Sequence, residues 1–258
     1  MKGIWIYYQK EMLEAWRNHK FIWVPIVFLL LGIMQPVTTV YLPEILSMSG
    51  DIPPEAAALF TTPPPAEVIA ATLSQFSTIG LLVLVLSAMN VVAGERATGT
   101  IELVLARSVS TVSVITAKWA AMMTILLLSI GIGLAGSAYY TYQLIGPVEW
   151  DMLMGAGAIY ALWLAWIVTL VLPLGAVLKG PAVAFISLGI AAVCSLLSSL
   201  LPSNWMWNPG RLSQIAVDWL TGSGVITWAP VWSAVIILIL SVAIGAKLLR
   251  QRPLSSQV

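Results

Sequence analysis

Six long stretches without any charged residue constrain the fold of this chain more than any other feature. They cover residues 21–42, 75–93, 119–140, 153–177, 181–201 and 228–246. A helix needs roughly 20 largely apolar residues to cross about 30 Å of hydrocarbon. The stretches are apolar on all sides, which is typical of lipid-embedded helices and not of alternating barrel strands. The sequence predicts an all-α polytopic membrane protein, with six transmembrane helices in one transmembrane domain over residues 1–258.

The composition supports a membrane protein and excludes several other classes. Apolar residues make up 59% and charged residues 9% of the chain, whereas soluble proteins average about 25% charged residues. The formal net charge is +1, so no strong field exists to attract nucleic acid. The single cysteine, Cys194, excludes an internal disulfide and a thiolate metal cluster.

The basic residues predict the orientation in the membrane. An even number of spans places both termini on one side. The segments on that side are the N-terminus, residues 94–118, the turn at Lys179 and the C-terminal tail, and they hold every lysine and arginine except Arg211. Because basic residues accumulate on the cytoplasmic side, we expect cytoplasmic termini and a multi-pass protein of the cell membrane.

The first residues predict a helix that lies along the membrane surface. Apolar residues recur at steps of three and four from Met1 through Trp5, Tyr8 and Met12 to Trp16. Lys10, Glu14 and Arg17 fall on the opposite face. This pattern favours an amphipathic interfacial helix, acting either as an elbow that transmits motion into the first span or as a passive anchor.

The connection over residues 94–118 is more than a linker. Thr98, Gly99 and Thr100 can start a short helix, and apolar residues follow from Ile101 to Leu105. Apolar side chains on a short loop between two spans need a partner to cover them. The alternative, a solvated charged loop, would leave these apolar side chains exposed.

This connection resembles the loop after the second span of ABC-2 permeases, the membrane subunits of ATP-binding-cassette exporters of the second type. In that family an acidic and a basic residue precede Gly-Thr, an acidic residue, a leucine-rich turn and a lysine that opens the next span. The matching positions are Glu95, Arg96, Gly99, Thr100, Glu102, Leu103, Leu105, Ser110 and Lys118. Pro and Arg are usual where this chain has Ser108 and Thr111.

The resemblance implies that the loop forms a coupling helix seated in a groove of a cytoplasmic ATP-binding-cassette ATPase. ATP and Mg would then bind to that partner, and this chain would bind no cofactor and no metal. A second permease copy or homologue would complete the pair in the bilayer. The residues implied in coupling are Glu95, Arg96, Gly99, Thr100, Ile101, Glu102, Leu103, Leu105, Arg107 and Lys118.

A second short helix is expected before the last span, over residues 209–221. Asn208 can cap it, Pro209 suits its first position, and Gly222 can end it. It resembles the external helix that type 2 permeases place at the outer exit. The resemblance implies a gate formed by Leu212, Ile215 and Trp219, and an ordinary interfacial helix is the alternative.

The sequence contains none of the catalytic motifs that we searched for. No Gly-x-x-x-x-Gly-Lys-Ser/Thr phosphate loop, Ser-His-Asp set or His-Glu-x-x-His motif occurs, and His19 is the single histidine. We therefore expect no catalytic residue and a separate ATPase.

The apolar stretches themselves contain no charge, which argues against proton or ion conduction. A weakly polar path suits a hydrophobic or amphipathic cargo. Candidate path residues are Gln35, Asn90, Tyr160, Trp163 and Trp166, although helix-to-helix hydrogen bonding and core filling also explain them.

The sequence thus predicts an exporter permease that works by alternating access under the control of a separate ATPase. Two other functions remain open: a membrane scaffold or sensor that couples an ATPase to signalling or resistance, and a carrier that works alone.

Overall fold

A computed structural model describes residues 2–49, 62–101, 110–201, 206–222 and 227–251. These residues form helices joined by turns and short irregular connections. In chain order the helices are α1 (Lys2–Arg17), α2 (Lys20–Ser49), α3 (Pro65–Gln75), a π-helical turn (Phe76–Gly80), α4 (Leu81–Ala88), α5 (Asn90–Ala97), α6 (Thr111–Leu144), α7 (Trp150–Thr169), α8 (Val171–Gly175), α9 (Gly180–Leu200), a 3-10 turn (Pro209–Arg211), α10 (Leu212–Thr221) and α11 (Ala229–Gln251).

Six helical segments are long and apolar enough to cross a membrane, which confirms the predicted fold class. They are Lys20–Ile45, Pro65–Ala97, Thr111–Leu144, Trp150–Gly175, Gly180–Leu200 and Ala229–Gln251, here called spans 1 to 6. Most helices continue beyond the charge-free stretches of the sequence. Spans 2 and 3 extend furthest, to 33 and 34 residues, and this extension brings Glu95 and Lys118 onto the spanning helices.

Helix α1 has the predicted position in the chain, and the face that it buries against the bundle is not its predicted apolar face. Trp5 and Trp16 are mostly exposed, while Glu11 and Ala15 are buried against the bundle. The chain then turns at His19, whose φ of 57° is left-handed, so α1 and span 1 are separate helices. We call the end of the bundle that carries α1 the N-terminal face.

Spans 1, 2 and 3 pack through glycine and phenylalanine at mid-span. A Cβ on Gly32 would lie 2.2 Å from the Gly133 carbonyl oxygen, and a Cβ on Gly133 would lie 2.7 Å from the Phe76 ring. The rings of Phe28 and Phe76 have their centroids 4.8 Å apart. Gly133 therefore serves contacts within one chain, because only a residue without a side chain permits this approach of the helices.

Two spans depart from a regular α-helix. Span 4 breaks at Leu170, between α7 and α8, because Pro173 has no N–H to donate to the carbonyl of Thr169, four residues earlier. Span 2 contains the π-helical turn Phe76–Gly80. Just before that turn, the Leu73 carbonyl accepts hydrogen bonds from the Phe76 N–H, from the Ser77 hydroxyl at 3.1 Å and from the Tyr160 hydroxyl at 2.8 Å.

The short helix before span 6 lies at the face opposite α1. Asn208 Oδ1 accepts a hydrogen bond from the Gly210 N–H at 2.9 Å, and Gly222 ends α10 in the left-handed conformation. Both caps agree with the sequence prediction. The apolar side of α10, which includes Leu212, Ile215 and Leu220, is buried in the bundle.

Candidate coupling region at the N-terminal face

A buried network of ion pairs joins three helices at the N-terminal face. Lys118, near the start of span 3, is 2% exposed. Its Nζ donates to Glu11 Oε1 of α1 at 2.9 Å and lies 2.9 Å from Glu95 Oε2 at the end of span 2. One ammonium thus connects α1, span 2 and span 3. We call Lys10, Glu11, Glu14, Glu95 and Lys118 the charge clamp.

Lys10 supplies the second ammonium of the charge clamp. Its Nζ donates to Glu95 Oε1 and to Glu11 Oε1 at 3.0 Å, and it lies 3.1 Å from Glu14 Oε2. Burial alone would lower the pKa of Lys10, but its hydrogen bond to Glu95 and the negative charge of Glu11 raise that pKa well above its usual range. Lys10 therefore stays charged under physiological conditions.

The carboxylates of the charge clamp are close enough to hold a metal ion, since ligand oxygens of Glu11, Glu14 and Glu95 lie within 4.8 Å of one another. Lys10 and Lys118 instead place their ammonium groups against these oxygens. The arrangement matches a salt-bridge network, in which each buried charge has an opposite charge in contact.

Arg96 extends these contacts to the turn between spans 4 and 5. Its Nη1 donates to the carbonyl oxygens of Gly175 at 2.9 Å and Leu178 at 3.4 Å. The end of span 2 is therefore bonded on two sides. Glu95 contacts α1 and span 3, and the adjacent Arg96 contacts the end of span 4.

The connection to span 3 leaves α5 through a tight turn. Gly99 has a left-handed φ of 70°, which glycine adopts without strain, and the hydroxyls of Thr98 and Thr100 are 2.9 Å apart. Ile101 is 4% exposed and belongs to the hydrophobic core. The expectation that Ile101 needs a partner subunit to cover it is therefore wrong, because this chain already covers it.

Part of the predicted coupling set lies outside the described residues. Glu102, Leu103, Leu105 and Arg107 fall within residues 102–109, and the structure describes the chain again from Ser110. Of the implied coupling residues, the structure brings Glu95 and Lys118 into direct contact and holds Arg96 beside them. The role of the set in coupling stays a prediction.

The five candidate path residues do not form one lining. Tyr160, Trp163 and Trp166 are each at most 2% exposed, and the rings of Tyr160 and Trp163 are 5.4 Å apart. Gln35 instead pairs with Gln75 between spans 1 and 2. Asn90 is exposed, on α5.

The three candidate gate residues pack inward. Leu212 and Ile215 are buried at 0% and 4% exposure. The indole of Trp219 lies against span 4, where a Cβ on Gly155 would come within 2.3 Å of Trp219 Nε1. These side chains attach α10 to the bundle in this conformation.

Sequence reasoning missed Lys10 and Glu11 as members of the charge clamp. The sequence feature that could have indicated the packed face is the spacing of Tyr8, Glu11 and Ala15, which places them on one face of α1. That face packs on span 3, and the Tyr8 hydroxyl is 3.0 Å from Thr124 Oγ1. A carboxylate on the packed face needs a buried cation, which Lys118 provides.

Comparison with known proteins identifies relatives along almost the whole chain. Residues 5–254 match the family described as ABC-2 family transporter protein. The chain is also 34% identical over 217 residues to a protein of Bacillus subtilis (strain 168) named as the uncharacterized transmembrane protein YxlG, and the match covers 84% of each of the two chains.

Proposed function

Since this chain belongs to the ABC-2 family of transporter proteins, we propose that it is the permease subunit of an ATP-binding-cassette exporter. A separate ATPase subunit binds ATP and Mg and supplies the energy. Two permease copies or homologues and two ATPases form the working unit. The six spans and the lack of a phosphate loop in the sequence support this division of labour.

The N-terminal face is the cytoplasmic face in this proposal, and the protein resides in the cell membrane. The distribution of lysine and arginine supports this orientation. The charge clamp and the loop that follows span 2 would then face the ATPase.

The charge clamp is the observation that carries the proposal. Closure of two ATPases can move the spans only through a stiff contact at the membrane surface. The loop over residues 98–110 lies between Glu95 and Lys118, and these two side chains are in contact. A displacement of the loop would therefore reach spans 2 and 3 and α1 together.

In this proposal the ATPase docks on the middle of the loop over residues 98–110. Because Ile101 is buried in this chain, it would anchor the start of the loop to the bundle. Thr100, Glu102, Leu103, Leu105 and Arg107 would contact the ATPase. Arg96 would pass the displacement on to the turn between spans 4 and 5 through its bonds to Gly175 and Leu178.

The cargo we propose is hydrophobic or amphipathic, and it moves outward by alternating access. Tyr160, Trp163 and Trp166 are buried within one chain, so they would contact cargo only when the spans separate. Gln35 and Asn90 would belong to the same path only in such an opened state. Movement of α10 would likewise be needed before Leu212, Ile215 and Trp219 could act as an external gate.

Reversal of one loop charge tests the proposal. We expect Glu102→Lys to insert normally but to reduce copurification of the ATPase and cargo-stimulated ATP hydrolysis about tenfold, because a buried interfacial charge contact is worth roughly 1–3 kcal/mol. The assay uses the permease and its ATPase reconstituted in vesicles.

A charge reversal at the far end of span 6, Lys247→Glu, is the matched control, since Lys247 is exposed and distant in sequence from the loop. It should leave hydrolysis unchanged. Equal copurification and turnover for Glu102→Lys and the wild type would contradict the coupling role. A stable complex without directional flux would instead indicate a scaffold or sensor, and flux without any ATPase would indicate a carrier.

A further inference from the structure

Spans 2 and 4 are each interrupted at one residue shortly before they reach the N-terminal face. Span 2 is interrupted at Met89, between α4 and α5, and span 4 at Leu170, between α7 and α8. The backbone ψ is −28° at Met89 and −23° at Leu170, and both values are typical of a 3-10 helix. Such local tightening inside a long helix often marks a hinge.

The two interruptions lie at nearly the same depth. Spans 2 and 4 both run toward the N-terminal face, and they touch where a Cβ on Gly175 would lie 3.1 Å from Val92 Cβ and 3.3 Å from the Ala93 nitrogen. Val92 follows Met89 by three residues, and Gly175 follows Leu170 by five. At 1.5 Å per residue these are about 4.5 and 7.5 Å, so the interruptions differ in depth by only about 3 Å.

Below the interruptions, α5 is bonded along its whole length to the end of span 4 and the turn that follows. The Asn90 side chain lies against Gly180 at the start of span 5, where any Cβ would overlap it. Arg96 Nη1 donates to the carbonyl oxygens of Gly175 and Leu178. With the close contact at Gly175, α5 is held at its beginning, middle and end. We call residues 90–97 and 171–179 the jointed segment.

Span 3 passes beside both interruptions as one continuous helix. Trp119 Nε1 donates to Thr169 Oγ1 at 3.1 Å, which holds span 4 just above its interruption. One residue earlier on span 3, Lys118 contacts Glu95 of the jointed segment at 2.9 Å. Span 3 thus holds the bundle above the interruption, and it holds the jointed segment below through the end of a long side chain.

We propose that the jointed segment opens as one cooperative unit, with joints at Met89 and Leu170, by turning about the Glu95–Lys118 contact. Hinges are usually a few residues at the ends of elements. Opening is easy at Leu170 because Pro173 already deprives the Thr169 carbonyl of its helical donor. The ends of spans 2 and 4 could then part from the bundle without disturbing the packing at mid-span. The unit requires neither an ATPase nor a cargo, so it stands or falls separately from the proposed function.

Amide hydrogen exchange of the full chain in phosphatidylcholine nanodiscs tests this unit. We expect residues 90–97 and 171–178 to exchange at rates that agree within about twofold, and roughly tenfold or more faster than residues 81–88 and 160–169 above the joints. Residues 115–122 of span 3 are the control for access to water, since they lie at the level of the jointed segment on a helix without a joint. They should exchange as slowly as the residues above the joints.

Pro173→Ala should stiffen the joint of span 4, because it restores the N–H that the Thr169 carbonyl lacks. We expect exchange to slow roughly fivefold, the effect of one hydrogen bond, in α8 and equally in α5 on the other span. Pro181→Ala is the matched control. Pro181 lies in the first turn of span 5, where its missing N–H has no helical acceptor, and its replacement should leave all rates unchanged.

Gly175→Ala tests the unit in the opposite direction. Its Cβ would press on Val92, so exchange should accelerate about fivefold or more in α5 and α8 together. Gly189→Ala on span 5 meets no atom within 4 Å and should change nothing. If either Pro173→Ala or Gly175→Ala alters exchange in α8 alone, the two helices open separately and the proposal fails. It also fails if residues 115–122 exchange as fast as the jointed segment, because fraying at the membrane surface would then explain the rates.

Discussion

The N-terminal face and the mid-span packing of this bundle are held together by different forces. At the N-terminal face, charged side chains from three helices meet in the charge clamp, and Lys118 is fully enclosed there. At mid-span, spans 1, 2 and 3 meet through the backbones of Gly32 and Gly133 and the rings of Phe28 and Phe76.

The two kinds of contact are expected to behave differently when the helices are displaced. In the charge clamp, separation of the helices would leave buried charges without their partners, so a displacement of one helix is passed on to the others. A glycine contact depends on backbones that touch, and it is lost when they separate. The charge clamp is therefore suited to receiving displacement, and the mid-span packing is suited to keeping spans 1, 2 and 3 together as one unit.

Removal of the central cation should have the largest effect. Lys118→Ala leaves Glu11 and Glu95 buried with only Lys10 to neutralise them, so we expect the free energy of unfolding to fall by about 3–5 kcal/mol. The midpoint of thermal unfolding in detergent measures this loss. Glu14→Gln is the control, because Glu14 is half exposed and its loss should change stability by no more than about 1 kcal/mol.

A further variant separates charge from packing. Replacing Lys118, Glu11 and Glu95 together by Met, Leu and Leu removes the buried charges of the charge clamp, while Lys10 keeps Glu14 as its partner. Replacement of a buried ion-pair network by apolar residues is often neutral or stabilising by about 1–4 kcal/mol. If this variant is stable but uncoupled from ATP hydrolysis, the charge clamp serves transmission. If it is stable and fully coupled, the comparison between the two regions fails.

Mid-span packing should be sensitive to a single methyl group. Gly133→Ala places a Cβ 2.7 Å from the Phe76 ring and 2.8 Å from the Phe28 carbonyl oxygen, so we expect overpacking to reduce stability by about 1–3 kcal/mol. Gly131→Ala, on the same helix, meets no atom within 4 Å and should be neutral. Equal thermal midpoints for the two variants would contradict the packing described for spans 1 and 3.

The sequence predicted the spans well because lipid imposes a length and an apolar surface on each of them. It also predicted the caps of the α10 region, since Asn208 and Gly222 act locally. Span ends were less accurate, because a search for charge-free stretches stops at Glu95 and Lys118. Both residues have buried partners of opposite charge, Glu95 in Lys10 and Lys118, and Lys118 in Glu11 and Glu95, and such partners cannot be read from a local stretch of sequence.

The charge clamp could not be predicted from periodicity alone. The pattern of α1 placed Trp5 and Trp16 on one apolar face, and both turn out to be exposed. In a membrane protein an apolar face can turn toward lipid, so hydrophobicity does not decide which side of a surface helix is packed. The buried side is set by the partners available on span 3, which are Lys118 and Thr124.

The smallest expected effect is a difference in how the stability of the two regions depends on pH. The pKa of Lys10 is raised in the folded protein, so its contribution to stability is complete below its unfolded pKa of about 10.4 and is lost as the pH rises through the higher folded value. Lys10 is 41% exposed, which limits that contribution to about 1 kcal/mol. The stability difference between the wild type and Lys10→Met should therefore be constant from about pH 6 to 9 and shrink above about pH 10.

The difference for Gly133→Ala should not change over the same range, because no titratable group takes part in that contact. Thermal midpoints at matched pH measure both differences, and a Lys10→Met difference that already changes between pH 6 and 9 would show that another group controls the charge clamp.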